Sequence, residues 1–148
     1  MGMSCGGVQA VAASADPRVV TTVVWNSGLF DDPRMNATAG GEALTRADLG
    51  RLHGTVAYIS GDASDVAFAN ANADFAQLAD VPALRAYRHG TAHEGTYGEV
   101  NGGAFGEVAV GWLNWQLKGD REAASLFAGA DCGLCRDPDW TVVQKNLR

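Results

Sequence analysis

Residues 19–25 read VVTTVVW, and this stretch decides the fold class. Valine and threonine are β-branched, and so apolar a run is typical of a strand that is buried on both faces of a sheet. Two further strands are expected at residues 55–60, TVAYIS, and at residues 83–87, ALRAY. A shorter alternating pattern at residues 140–143 predicts an edge strand.

Helical patterns separate these strands. Residues 5–14 are small and apolar and end before Pro17, residues 67–79 have a helical pattern, and residues 103–117 predict a long helix. Strands that alternate with helices pair in parallel through right-handed crossovers. The sequence therefore predicts an α/β fold, with a mostly parallel sheet of about three to four strands and flanking helices.

Length, composition and charge narrow the range of functions. The 148 residues are 47% hydrophobic, which predicts one packed domain over residues 1–148, with residues 118–148 as a C-terminal helix and a tail that contains a C-x-x-C pair. The net charge of −6 argues against a nucleic acid partner, because phosphate binding needs a basic surface. The sequence contains no uninterrupted apolar stretch of about 18 residues, so it predicts no membrane-spanning segment.

The chain begins MGMSCGG, and residues 2–6 fit the pattern G-x-S-x-G. This turn presents a nucleophilic serine, here Ser4, between a strand and a helix. Glycine is expected in this turn because the turn is sharp and the neighbouring backbone comes close. Gly7, directly after the pattern, is expected to reduce crowding in the same way. In a chain with 19 glycines the pattern alone is weak, and the helix expected directly behind it adds weight.

A nucleophilic serine needs a base, and the base needs an acid to orient it. Sites in open α/β sheets form at the carboxyl ends of strands, and the partners of a serine in this turn follow in the order acid, then histidine. Asp62 and Asp65 follow the second strand, and His89 and His93 follow the third. On these grounds both acids and both histidines remain candidates.

Four segments together resemble the second half of an α/β-hydrolase, in particular the dienelactone-hydrolase and polyester-hydrolase (cutinase-like) branch. They are GMSCGG, VVWNSGLF, YISGDASDVAFANA and AHEGTY. The resemblance covers most of the chain up to about residue 117. It implies a serine hydrolase that acts on a small-molecule or polymeric carboxylic ester and needs neither metal nor organic cofactor.

The resemblance also implies roles for individual residues. Ser4 would attack the ester carbonyl, His93 would be the general base and acid, and Asp65 would orient the imidazole. The backbone N–H of Cys5 would form half of the oxyanion hole, and we expect the Cys5 side chain to be buried.

Two of these choices are made against alternatives. The resemblance favours Asp65 over Asp62 because the family's acid precedes a small apolar step, here Val66-Ala67. It favours His93 over His89 because His93 lies deeper in its loop, within AHEGTY.

Aromatic residues near the strand ends are candidates for substrate contact. Similar hydrolases carry an aromatic near this strand end, so Trp25 would form one wall of the cleft; a buried core tryptophan is an equally good interpretation. Phe68 and Tyr97 are weaker candidates of the same kind. Trp112 and Trp115 follow a helical pattern and are expected to be packing residues.

Cys132 and Cys135 form a C-x-x-C pair. A structural disulfide is the first interpretation and would fit a secreted or periplasmic parent protein; a pair of reduced structural thiols is the second. Structural zinc usually takes four ligands, and no second C-x-x-C exists, so no metal site is expected. Two alternative functions stay open: a non-catalytic binding module of the same fold, and a thiol–disulfide protein that uses Cys132 and Cys135.

A complete α/β-hydrolase has several strands before its nucleophile and a second oxyanion donor on an early loop. Ser4 lies too close to Met1 for either. We therefore expect this chain to be a C-terminal half whose N-terminal strands are missing and whose activity is impaired. The exposed sheet edge would then allow self-association.

Overall fold

Five strands form one mixed sheet in the computed structural model, which describes residues 1–147. The strands are β1 (Gly2–Met3), β2 (Thr21–Trp25), β3 (Thr55–Gly61), β4 (Ala83–Arg88) and β5 (Trp140–Lys145). They lie in the order β1-β2-β3-β4-β5, with β1 to β4 parallel and β5 antiparallel to β4. The predicted α/β class, its mostly parallel sheet and its edge strand are confirmed.

The predicted number of strands was too low because of β1. This strand has only two residues, which pair with Val24 and Trp25 of β2. Two residues are too few to show a strand pattern, so only the pairing with β2 identifies β1.

Five α-helices and three short 3-10 helices complete the described part of the chain. The α-helices are α1 (Cys5–Ala13), α2 (Phe68–Gln77), α3 (Gly103–Lys118), α4 (Arg121–Ala124) and α5 (Gly133–Arg136). The 3-10 helices are Pro33–Asn36, Arg46–Arg51 and Val100–Gly102. None of the described helices is long and apolar enough to cross a membrane.

The strands are apolar because both faces of the sheet are covered. Val24 and Tyr58 point to one face, where they pack in a core cluster with residues of α1 and α2. Val23, Trp25 and Ile59 point to the other face, where they pack in a second cluster with residues of α3. Successive side chains of a strand alternate between faces, so VVTTVVW supplies both clusters.

Parallel pairing brings three loops to the same edge of the sheet. Ser4 follows β1, Asp65 lies in the turn after β3, and His93 lies in the loop after β4. The carboxyl ends of parallel strands meet at one edge, so residues that are far apart in sequence become neighbours there.

Cys132 and Cys135 are joined by a disulfide at the start of α5, with their Cα atoms 4.9 Å apart. The predicted bridge is confirmed. Cys132 is 2% exposed and belongs to the core cluster on the α3 face, and its Sγ accepts a hydrogen bond from the Cys135 N–H. The bridge therefore closes a short loop before β5, and the packing of Cys132 holds this loop against the core.

Candidate active site

Ser4 lies in a strained turn between β1 and α1. Its backbone angles are φ 52° and ψ −124°, a region that residues with a side chain seldom adopt. Its N–H donates to the Trp25 carbonyl oxygen at 3.0 Å. Its own carbonyl oxygen accepts from the Gly7 N–H at 2.8 Å and from the Ser27 hydroxyl at 2.6 Å. These bonds to β2 and α1 hold the serine in its turn.

Two of the glycines around Ser4 are required by space. A Cβ on Gly2 would overlap the carbonyl oxygen of Gly6, and a Cβ on Gly7 would overlap the side chain of Ser27. Gly6 itself faces open space, and a Cβ added there would meet no other atom within 4 Å. The predicted crowding is therefore confirmed at Gly2 and Gly7, whereas Gly6 is free of it.

We expect Gly2→Ala to lower the free energy of unfolding by about 2 kcal/mol or more, because the new methyl group meets backbone that cannot move aside. Gly6→Ala is the matched control. It lies in α1, where alanine is favoured over glycine by up to about 1 kcal/mol, so it should not destabilise. Urea unfolding followed by circular dichroism measures both, and equal destabilisation would contradict this account of the turn.

The side chains of Ser4, His93 and Asp65 form a continuous relay of hydrogen bonds. His93 Nε2 lies 3.1 Å from Ser4 Oγ, and His93 Nδ1 lies 2.8 Å from Asp65 Oδ1. The Asp65 side chain is fully buried, and that of His93 is 28% exposed. The structure thus brings together the three residues that the sequence singled out, in the order that proton transfer from a serine requires.

Asp65 is surrounded by hydrogen-bond donors. Its Oδ1 also accepts from the Ala67 N–H at 2.9 Å, and its Oδ2 accepts from Asn26 Nδ2 at 2.9 Å. Burial raises the pKa of Asp65, but the bonds from Ala67, His93 and Asn26 outweigh it and the pKa is lowered overall. At neutral pH Asp65 is therefore a carboxylate, and it accepts a hydrogen bond from the protonated Nδ1 of His93.

The alternative acid and histidine take other positions. Asp62 forms its own turn: its Oδ1 accepts from Ser64 and its Oδ2 from the Gly90 N–H. His89 is exposed, its Nε2 lies 3.1 Å from Thr141 Oγ1, and its ring packs on Tyr87. Neither side chain makes a hydrogen bond to Ser4, His93 or Asp65.

No protein-family model matches this chain, and no curated protein matches it significantly. What the site can do therefore follows from its own geometry and chemistry.

Cys5 differs from its prediction in one respect. Its side chain is exposed, not buried, because α1 begins at Cys5 and the residue lines the cleft beside Ser4. Its backbone N–H is the first of the helix and donates to no acceptor among residues 1–147. The N–H groups at a helix start lack intrahelical partners, so this one is free to bind an oxygen of a ligand.

A cleft of about 180 Å³ opens next to Ser4 and His93. Its apolar wall consists of Val8, Phe30, Met35, Ala37, Val66 and Ala67. Asp, Glu, Lys and Arg are absent from the described residues that line it. The cleft is therefore suited to an uncharged, apolar part of a substrate that lies next to Ser4.

The three aromatic residues predicted to contact substrate do not line this cleft. Trp25 is 5% exposed and packs on Phe105 with ring centroids 5.5 Å apart, which agrees with the alternative interpretation as a core residue. Phe68 packs edge-to-face on Tyr87. The Tyr97 hydroxyl is directed inward to Asn26 at 2.7 Å.

One wall of the cleft comes from the first part of the segment between β2 and β3, where the sequence indicates a loop over residues 31–43. Buried Asn36 fixes this segment: its side chain accepts from the Phe30 N–H and donates to the carbonyl oxygens of Phe30 and Leu44. Asp74 of α2 anchors the same segment through the Leu29 N–H at 2.7 Å and Arg46 Nε at 2.9 Å. The wall is therefore ordered by side-chain hydrogen bonds.

Proposed function

We propose that this protein is a serine hydrolase that cleaves carboxylic esters through Ser4, His93 and Asp65. The observation that carries the proposal is the relay from Ser4 Oγ through both nitrogens of His93 to the buried Asp65 carboxylate. Three further features support it: the strained turn at Ser4, the adjoining cleft, and the Cys5 N–H, which has no hydrogen-bond acceptor within residues 1–147.

The proposed reaction begins with attack of Ser4 Oγ on the ester carbonyl. His93 Nε2 takes the hydroxyl proton, and the Asp65 carboxylate holds Nδ1–H and stabilises the imidazolium that forms. The developing oxyanion accepts from the Cys5 N–H. His93 then donates its proton to the departing alcohol, which leaves an acyl group on Ser4, and water activated by the same imidazole releases the acid.

The cleft indicates what kind of ester fits. Its walls are mostly apolar, with Asn26, Ser27 and Asn70 as uncharged polar members, and its volume of about 180 Å³ lies below the range typical of drug-sized ligands. An uncharged group of a few carbons is therefore the best match, and p-nitrophenyl butyrate is a suitable first substrate. A charged acyl group would lose its hydration without gaining an ion pair.

Labelling with a fluorophosphonate tests the proposal, because this probe reacts with an activated serine whether or not turnover is fast. We expect the wild-type protein to be labelled at Ser4 and Ser4→Ala to be unlabelled. Ser125→Ala is the matched control, since Ser125 is exposed and lies outside the site, and it should be labelled like the wild type.

Equal labelling of Ser4→Ala and the wild type would overturn the proposal. The absence of any serine adduct in a folded wild-type protein that still binds esters would instead favour a non-catalytic binding module. Cys132 lies in the core cluster on the α3 face and Cys135 is half-buried against it, so we propose a structural role for this bridge.

A further inference from the structure

A second set of hydrogen bonds reaches the Asp65 oxygen that His93 does not bond. Asn26 Nδ2 donates to Asp65 Oδ2 at 2.9 Å, and the Tyr97 hydroxyl donates to Asn26 Oδ1 at 2.7 Å. Asn26 is fully buried, whereas Tyr97 is 41% exposed. These three side chains form a path of hydrogen bonds from the protein surface to the carboxylate.

The direction of this path is fixed by chemistry. A carboxylate only accepts hydrogen bonds, so Asn26 must turn its NH₂ group towards Asp65. The amide carbonyl then faces Tyr97, whose hydroxyl must donate. Burial, and to a smaller extent the charge of Asp65, raise the pKa of Tyr97, so the hydroxyl keeps the proton that it donates.

Tyr97 binds the oxygen of the Asn26 amide, while the amide nitrogen donates to Asp65 and, at 3.5 Å, to the Ala92 carbonyl oxygen. The backbone of Asn26 is held at φ 41° and by an N–H bond to the Ile59 carbonyl at 2.8 Å. Rotation of a terminal amide is broad, however, and backbone contacts do not set its plane. Among the described residues the Tyr97 hydroxyl is the group that bonds the amide oxygen, so it fixes which end of the amide faces Asp65.

The position of Tyr97 is itself well defined. Its ring packs edge-to-face on buried Phe105 of α3, with centroids 5.6 Å apart. Gly95 lets the loop turn close over this pair, since it has φ 59° and a Cβ there would press on both rings. Tyr97 and His93 lie on the same loop, so one segment delivers both the imidazole and this hydroxyl.

We infer that Tyr97 and Asn26 are positioning residues for the Asp65–His93 pair: the Tyr97 hydroxyl orients the Asn26 amide, and the amide orients the Asp65 carboxylate. This inference rests on the proposed hydrolase function. It assigns Tyr97 an effect on the carboxylate in place of the substrate contact that the sequence suggested.

Tyr97→Phe, Asn26→Ala and the double variant test the inference, with Tyr87→Phe as the matched control. Tyr87 is a tyrosine at the end of β4 whose hydroxyl makes no hydrogen bond among residues 1–147. With p-nitrophenyl butyrate we expect Tyr97→Phe to lower kcat about 5-fold with KM unchanged, and Asn26→Ala, whose residue also lines the cleft, to lower kcat about 30-fold. The double variant should match Asn26→Ala, because the hydroxyl acts only through the amide.

A second measurement does not depend on turnover. The proton on a histidine nitrogen that is bonded to a carboxylate gives a far-downfield resonance, and we expect Tyr97→Phe and Asn26→Ala, but not Tyr87→Phe, to shift that of His93. If the wild type hydrolyses no ester, the proposed function fails and this resonance alone decides the positioning role.

Three results would overturn the inference. The first is a loss of kcat on Tyr97→Phe that is as large in the Asn26→Ala background as in the wild type. The second is a raised KM with unchanged kcat in Tyr97→Phe, which would mean that the Tyr97 side chain contacts the substrate. The third is a His93 resonance that stays in place in both Tyr97→Phe and Asn26→Ala.

Discussion

His93→Ala is expected to lower kcat for ester hydrolysis by about 10⁴–10⁶-fold, the largest effect of any single substitution outside Ser4. The reason is geometric. His93 Nε2 is 3.1 Å from Ser4 Oγ, and it is the only nitrogen base hydrogen-bonded to that hydroxyl among the described residues. Without it the serine stays protonated, and the alcohol departs without a proton donor.

His89→Ala is the control that makes this result specific. His89 lies on the same loop, four positions earlier, but its Nε2 faces Thr141 of β5. Initial rates with p-nitrophenyl butyrate should be nearly unchanged in His89→Ala, and circular dichroism should show that both variants are folded. If both variants lose the same amount of activity, the His93 imidazole supports the shape of the loop and does not act on Ser4.

Topology was sufficient to predict which loops supply the relay, because the carboxyl ends of parallel strands meet at one edge of the sheet. Strand patterns at residues 19–25 and 55–60 place β2 and β3 within a few residues of their observed bounds. Once these strands are parallel, the loops that hold Asp65 and His93 must meet beside Ser4. The choices of Asp65 over Asp62 and of His93 over His89 came from the resemblance, because each pair lies in one loop and topology does not separate its members.

The walls of the cleft could not be predicted in the same way. Phe30, Met35 and Ala37 come from a segment without periodicity, and hydrogen bonds of Asn36 and Arg46 hold it in place. Such bonds join residues whose spacing follows no rule. An asparagine inside an apparent loop gives little warning of this role, because loop asparagines are usually exposed.

Trp25 and Asn26 show a similar limit at the end of β2. A strand buried on both faces gives no clue to which face a given residue points, so the sequence could not decide whether Trp25 faces α3 or the cleft. Asn26 lies directly after a strand, where asparagine is a common turn residue. Its contact with Asp65 depends on a positive φ, which asparagine adopts more readily than most residues.

Asp65→Asn is expected to lower kcat by about 10³–10⁴-fold while the protein keeps its fold. The new amide has nearly the same shape, so its oxygen can still accept from the Ala67 N–H and from His93 Nδ1–H. Its NH₂ group then faces the NH₂ group of Asn26, a clash that is relieved when the Asn26 amide turns over, because the Tyr97 hydroxyl can accept as well as donate. What remains lost is the negative charge beside the imidazolium.

Asp62→Asn is the matched control for the loss of kcat, since Asp62 is an aspartate of the same turn that only shapes the backbone.

Because the pKa of Asp65 is lowered in the folded protein, its carboxylate stabilises the fold above the pKa of an unfolded aspartate, about 3.9, and this contribution is lost as the pH falls. The stability of Asp65→Asn should therefore depend less on acid pH than that of the wild type. If Asp65→Asn keeps the wild-type kcat, the buried charge of Asp65 does not act in catalysis. The relay would then be a structural feature of the fold.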